Sequence, residues 1–206
     1  MAPRESQDET LFDLAAIPGA KPSGKRIGPW LRKSVSVPYR NDWIQVEHHD
    51  VVDPSGADGI YGVVRFRHVA LGCVPLHDDG TVTLVGQHRY PLDRYFWEIP
   101  EGGGRPGCDH LEEMKRELAE ETGLVARSWI PLGEIHTSNS VTDETAFIWL
   151  ARDLTEGEPD PEPNEQLETK RVPFQEAVQQ ALDGRLTDSI TVVALLRAAR
   201  IVQGAG

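Results

Sequence analysis

The chain has 206 residues, of which 39% are hydrophobic and 26% charged, and a formal net charge of −12. That length supports one domain with a core of its own, and no apolar run approaches the roughly 18 residues that span a bilayer. The negative balance argues against nucleic acid as a partner, because Lys and Arg must neutralise phosphates there, so an anionic substrate would be met by local charge such as a metal ion.

Residues 1–28 read as a flexible arm. They lack apolar periodicity, and Pro18, Gly19, Pro22, Gly24, Gly28 and Pro29 crowd breakers together at its end. Residues 1–11 are polar, with no apolar stretch ahead of a small-residue cleavage site, and the expected location is the cytoplasm, without a membrane. The two cysteines, Cys73 and Cys108, are too few for a disulfide framework or a zinc cluster and are expected to be reduced thiols.

Residues 29–68 form a strand extension in this reading. Residues 43–52 alternate as a strand does, Asp53-Pro54-Ser55-Gly56 is a turn, and residues 61–67 return antiparallel. Residues 69–206 then make the main domain. Its first two strands, 69–76 and 82–88, are expected to form a hairpin about Asp78-Asp79-Gly80. Strands at 129–135 and 145–150 flank a polar loop, and the acidic, proline-rich stretch 156–165 should be extended and exposed. Helices at 174–183 and 189–202 close the chain, the second capped by Thr187 or Asp188.

The informative stretch is 102–124, a glycine-rich loop entering an acidic helix. Asp109 is placed to cap the helix, with Glu112 three residues on completing a capping box, and Gly123 to end it with positive φ. Leu111, Met114 and Leu118 share one helical face; Glu113, Glu117, Glu120 and Glu121 share another. By spacing alone, that second face is either a solvated acidic surface, helped by Lys115 and Arg116, or a site for a hard divalent cation such as Mg²⁺ or Mn²⁺.

The stretch resembles the signature of the Nudix hydrolases, G-x5-E-x7-R-E-U-x-E-E-x-G-U with U aliphatic. It matches at Gly102, Arg116, Glu117, Leu118, Glu120, Glu121, Gly123 and Leu124 and departs at one place, where Cys108 stands for the first Glu. The resemblance implies an α+β fold, an α/β/α sandwich with a mixed sheet and an antiparallel N-terminal strand extension. It implies that Glu117, Glu120 and Glu121, with the main-chain carbonyl of Glu101, hold Mg²⁺ or Mn²⁺, and that Arg116 orients them. In the family the Glu missing at Cys108 is mainly a loop-organising partner; Asp109 is the expected partial substitute.

Trp43-Ile44-Gln45-Val46, Asp53-Pro54-Ser55-Gly56, Gly86-Gln87-His88-Arg89-Tyr90, Trp97-Glu98-Ile99-Pro100-Glu101-Gly102 and Thr187-Asp188-Ser189-Ile190-Thr191, in that order, make residues 43–197 most similar to the ADP-ribose and nucleoside-diphosphate-sugar pyrophosphatases. That similarity implies hydrolysis of a nucleoside diphosphate sugar, such as ADP-ribose or GDP-mannose, to a nucleoside monophosphate and a sugar phosphate, in a homodimer joined by the N-terminal strands. Trp43, with Trp30 next, would stack on the base, Arg89 and Glu98 would contact the diphosphate and nucleoside, and Ser138-Asn139-Ser140 would meet the sugar or phosphate. The water-activating base would be Glu165, or else Glu162, on the acidic loop. Two alternatives stay open: a Nudix enzyme acting on nucleoside triphosphates or dinucleoside polyphosphates, and a weakened, nucleotide-binding regulatory module.

Overall fold

The structure, a computed structural model, describes residues 24–160 and 166–204. Its strands are β1 (Lys25–Ile27), β2 (Trp30–Arg40), β3 (Ile44–Val52), β4 (Asp58–Phe66), β5 (Val69–Pro75), β6 (Thr81–Arg89), β7 (Arg94–Glu98), β8 (Glu101–Gly104), β9 (Leu124–His136), β10 (Thr145–Glu156) and β11 (Glu168–Pro173). Its helices are α1 (His110–Thr122), α2 (Phe174–Leu182) and α3 (Ser189–Gly204). The described residues divide into two compact units, one made of 24–38 and 47–63, the other of 39–46 and 64–204.

The first unit is built on strands that lie in the order β1-β2-β3-β4, with β1 antiparallel to β2. Residues 25–27, inside the stretch read as an arm, are therefore strand. The expected turn forms because the Asp53 carboxylate accepts from the amides of Ser55 and Ala57 at 2.8 and 3.0 Å, a side chain mimicking a backbone turn. Among the described hydrophobic residues of this unit only Leu31 and Val51 are buried, whereas Ile27, Val35, Val37 and Ile60 are 40–69% exposed.

The second unit carries the main core. A mixed sheet runs β8-β5-β10-β9, with β5 parallel to β10 and the other pairs antiparallel; a second, antiparallel sheet runs β11-β6-β7. Alternation along β5 aims Leu71 and Cys73 at one face, where they meet Met114 and Leu118 of α1, and Val74 at the other, with Phe174 of α2 and Ala194 and Leu195 of α3. Helices thus cover both faces, the sandwich the sequence implies. No described helix is long and apolar enough to cross a membrane.

The hairpin at 69–88 is corrected in part. Its turn is present, with Gly80 at φ 78° and its amide donating to the His77 carbonyl, but a single bridge, Leu76 to Val82, joins the two arms before they part into different sheets. Both arms are buried along most of their length. Each is therefore an interior strand that takes partners on both edges from elsewhere in the chain.

Cys73 is wholly buried, and that burial, with Glu121 and Glu101 nearby, pushes its thiol well above the ordinary value; Cys108 is exposed. Since the thiolate is the reactive form, a thiol-reactive dye should label one cysteine per native chain and two after denaturation. Rapid labelling of both in the native protein would contradict this packing.

Candidate active site

The helix that carries the acidic face has both ends written locally. The Asp109 carboxylate accepts from the amides of Leu111 and Glu112 at 2.9 and 3.2 Å, and Gly123 closes the helix at φ 72°. The capping box is only half made, because Glu112 turns outward to Lys115 at 2.7 Å. Met114 and Leu118 are fully buried and fix the rotation of α1 on the sheet. That rotation leaves the carboxylates over β8, where Gly102 pairs with Leu71. A Cβ added at Gly102 would overlap the Glu117 carboxyl group, so only glycine lets the strand approach so closely.

Arg116 lies across the cluster. Its guanidinium meets Glu117 at 2.6 Å, Glu113 at 3.3 Å and Glu120, and its Nε is buried without an acceptor among the described residues. Although burial opposes its charge, Glu117 and Glu120 hold the guanidinium above its ordinary pKa. Glu121, 5% exposed, is on the sheet side of the helix and accepts from the Glu101 amide at 3.2 Å.

Glu101 joins this cluster to a second one. Arg89 grips the buried Glu98 in a forked pair, at 2.7 Å from Nη2 and 3.0 Å from Nε, and comes within 3.6 Å of Glu101. The hydroxyl of Thr191 donates to Glu101 at 3.1 Å and accepts from the Ile99 amide, while Asp188 caps α3 through the Thr191 amide at 2.7 Å. Burial pushes the Glu101 carboxyl well above the usual range; Asp188, hydrogen-bonded to it, and Glu98 add to this, and Arg89 opposes it.

The remaining sequence candidates stand elsewhere. Trp43 is 67% exposed on the β2–β3 turn, its amide held by Asn41, and Trp30 packs edge-on against Tyr61 with ring centroids 5.4 Å apart. The carbonyl of Ser138 accepts from the amides of Val141 and Thr142, which shapes the β9–β10 loop. Asn139, but not Ser138 or Ser140, lines a groove of about 480 Å³ with His136, Thr137, Ser189 and Arg197. Glu162 and Glu165 lie outside the described residues.

The site is thus a glycine strand pressed on a helix of carboxylates that an arginine bridges. The model of the NUDIX domain matches residues 66–192. The chain belongs to the Nudix family. The ADP-ribose pyrophosphatase of Mycobacterium tuberculosis is 33% identical over 141 residues, 66% of this chain and 67% of that one. The ADP-ribose pyrophosphatase of Bacillus subtilis is 29% identical over 148 residues, 71% of this chain and 80% of its own. A crystal structure of an ADP compounds hydrolase superposes with a TM-score of 0.78 at 22% identity, covering 89% of this chain and 99% of that one. The protein is thus a Nudix pyrophosphohydrolase, similar to the ADP-ribose pyrophosphatases.

Nudix enzymes generally use divalent cations, and the residues here suit one. The donors are hard carboxylates on a single helical face, and β8 has no side chain at Gly102 to fill the space before Glu117. As they stand, no three acidic, His or Cys side chains among the described residues converge at ligand spacing, because Arg116 spans Glu117 and Glu120 while Glu121 faces Glu101.

Sequence reasoning missed the pairings that tie Glu113 to Arg105 and Thr191 to Glu101, and gave Asp188 only as a helix cap. Asp109, the expected substitute for the absent Nudix-box glutamate, is committed to the helix cap. Glu113 instead holds Arg105 of the loop through two bonds, at 2.7 and 3.2 Å. Thr191 and Asp188 lock α3 to β8. A capping aspartate followed three residues later by threonine was legible as a signal, but the bond from Thr191 to Glu101 joins residues far apart in sequence and was not.

Proposed function

We propose that this enzyme hydrolyses the diphosphate linkage of a nucleoside diphosphate sugar, with ADP-ribose the leading substrate and a nucleoside monophosphate and a sugar phosphate as products. The observation that carries the reading is the carboxylate face of α1 set against Gly102. Glu117, Glu120 and Glu121, with the main-chain carbonyl of Glu101, would hold Mg²⁺ or Mn²⁺. A bound divalent ion neutralises diphosphate oxygens and lowers the pKa of an attacking water.

The chain's own residues would do the rest. Arg116 neutralises Glu117 and Glu120 and keeps their carboxylates aligned. Arg89 and Glu98, locked together, fix the floor of the site at the β6–β7 pair, where Arg89 presents positive charge to a diphosphate. The groove beside Asn139, His136 and Arg197 opens at the first residue of α3, next to the Asp188 that bonds Glu101, and offers polar groups to a sugar. Exposed Trp43 is available to stack on a base, with Trp30 second, and Ser138 and Ser140 belong to the same sugar-facing loop. Glu165, or else Glu162, would take the proton of the attacking water.

The apolar side chains exposed on the first unit support a homodimer formed through the N-terminal strands, and the expected location is cytoplasmic. The dimer follows from the resemblance to the pyrophosphatases, and mass in solution and cell fractionation test the two expectations.

The test is a substrate panel of ADP-ribose, GDP-mannose, a dinucleoside polyphosphate and nucleoside triphosphates, incubated with Mg²⁺ and resolved by chromatography. AMP and a sugar phosphate from ADP-ribose is the expected result. Preferential release from a triphosphate or dinucleoside polyphosphate would move the protein to another Nudix class. Release from none would leave the regulatory module as the surviving reading.

A further inference from the structure

We propose that Glu113 is the positioning carboxylate of the glycine-rich loop, doing from the helix what the Nudix box assigns to the position of Cys108; the proposal rests on the metal-dependent reading above. The box pattern leaves the position of Glu113 free, yet the side chain there is buried, 7% exposed. A carboxylate so placed is costly unless paired and hydrogen-bonded, and Glu113 is paired twice. Arg105 of the loop donates from both Nε and Nη2, and Arg116 of α1 donates from Nη2 at 3.3 Å.

One carboxylate thereby links the loop to the arginine that spans Glu117 and Glu120. Residues 105–109 have no strand partner, so this pair and the Asp109 cap are the bonds that tie the loop to α1 among those described. Cys108, three residues on from Arg105 in the same loop, is close enough to act on that guanidinium electrostatically, though less than Glu113 does. Arg105 is thus paired with position 113 and near position 108, so a carboxylate at 108 is the substitution that should take over the pairing. This chain has the carboxylate at 113 and a thiol at 108. Glu113 is one helical turn before Glu117, and its oxygens are taken by the two arginines, which fits orientation of the ligands and not the reaction itself.

Wild type, Glu113→Gln and the double variant Cys108→Glu/Glu113→Gln decide the matter. Free Mn²⁺ measured by electron paramagnetic resonance gives metal affinity without substrate, and hydrogen exchange of the amides in 104–109 gives loop order without metal. Loss of a group that orients metal ligands weakens affinity by about 10- to 100-fold. Glu113→Gln should lose that much and exchange faster, and the double variant should recover both. Recovery by a carboxylate at a different position would not follow from a role in stability alone.

Unchanged Mn²⁺ affinity and exchange in Glu113→Gln, or a double variant as weak as the single, would overturn the proposal. If Glu113→Gln fails to fold, Arg105→Gln removes the same pair from its exposed side, and wild-type affinity and exchange there would overturn it equally. A wild type that binds no Mn²⁺ would defeat the metal reading; loop exchange unaltered by Glu113→Gln would defeat this inference on its own.

Discussion

Glu120→Gln is expected to lower kcat for the diphosphate substrate on the order of 10³-fold with little change in stability. A metal at a phosphoryl centre supplies several kcal/mol of transition-state stabilisation, and each 1.36 kcal/mol is tenfold in rate. Loss of one charged ligand from a cluster of three removes much of that term. The structural cost is small. The Arg116–Glu120 pair spans one turn of helix with the Glu120 side chain a third exposed, worth about 0.3–0.5 kcal/mol, and removal of one like charge from the acidic face offsets part of it. Thermal melts beside steady-state kinetics in Mg²⁺ read both quantities. Full activity after the Glu120→Gln substitution would take Glu120 out of the site.

Arg89→Met should produce the opposite split, a loss of stability of about 3 kcal/mol that also reaches the site. Glu98 is 2% exposed and receives the forked grip of Arg89, with Gln87 the further donor at 3.3 Å. Breaking a buried ion pair from one side leaves an uncompensated charge and costs about 3–5 kcal/mol. The Arg89 side chain is 39% exposed, which places the expected cost at the lower end. Because Arg89 also faces Glu101, whose carboxyl is already pushed up by burial, the variant removes a cation that opposes that shift. Urea unfolding checks the prediction. A variant as stable as wild type would show that Glu98 is neutralised by other means.

The acid limb of stability carries a related sign. Arg105, with burial opposing and Arg116 adding, holds the Glu113 carboxyl below its ordinary value of 4.5. The folded state therefore binds that proton less readily than the unfolded chain. The contribution of the pair is complete above 4.5 and is lost as the pH falls through the lower, folded value.

What was legible in the sequence was what is local. Asp109 and Gly123 set the ends of α1 because a cap and a left-handed glycine act on their own few residues, and α2 and α3 end within two residues of the boundaries read from the sequence. The carboxylates shared a face by helical period alone. Pairings between distant segments were not legible. Residues 69–76 and 82–88 have every local mark of a hairpin, and only the positions of β8, β10, β7 and β11 decide that they separate. Glu113 was grouped with Glu117, Glu120 and Glu121 on one acidic face, since nothing near it in sequence shows that Arg105 folds back to meet it.

The most direct measurement is hydrolysis of ADP-ribose by protein stripped with EDTA, before and after Mg²⁺ is restored. AMP and ribose phosphate should appear only once the metal is returned, and the rate should saturate with its concentration. Hydrolysis at the same rate in EDTA, or none with Mg²⁺ or Mn²⁺ present, would contradict a metal-assisted Nudix site on α1.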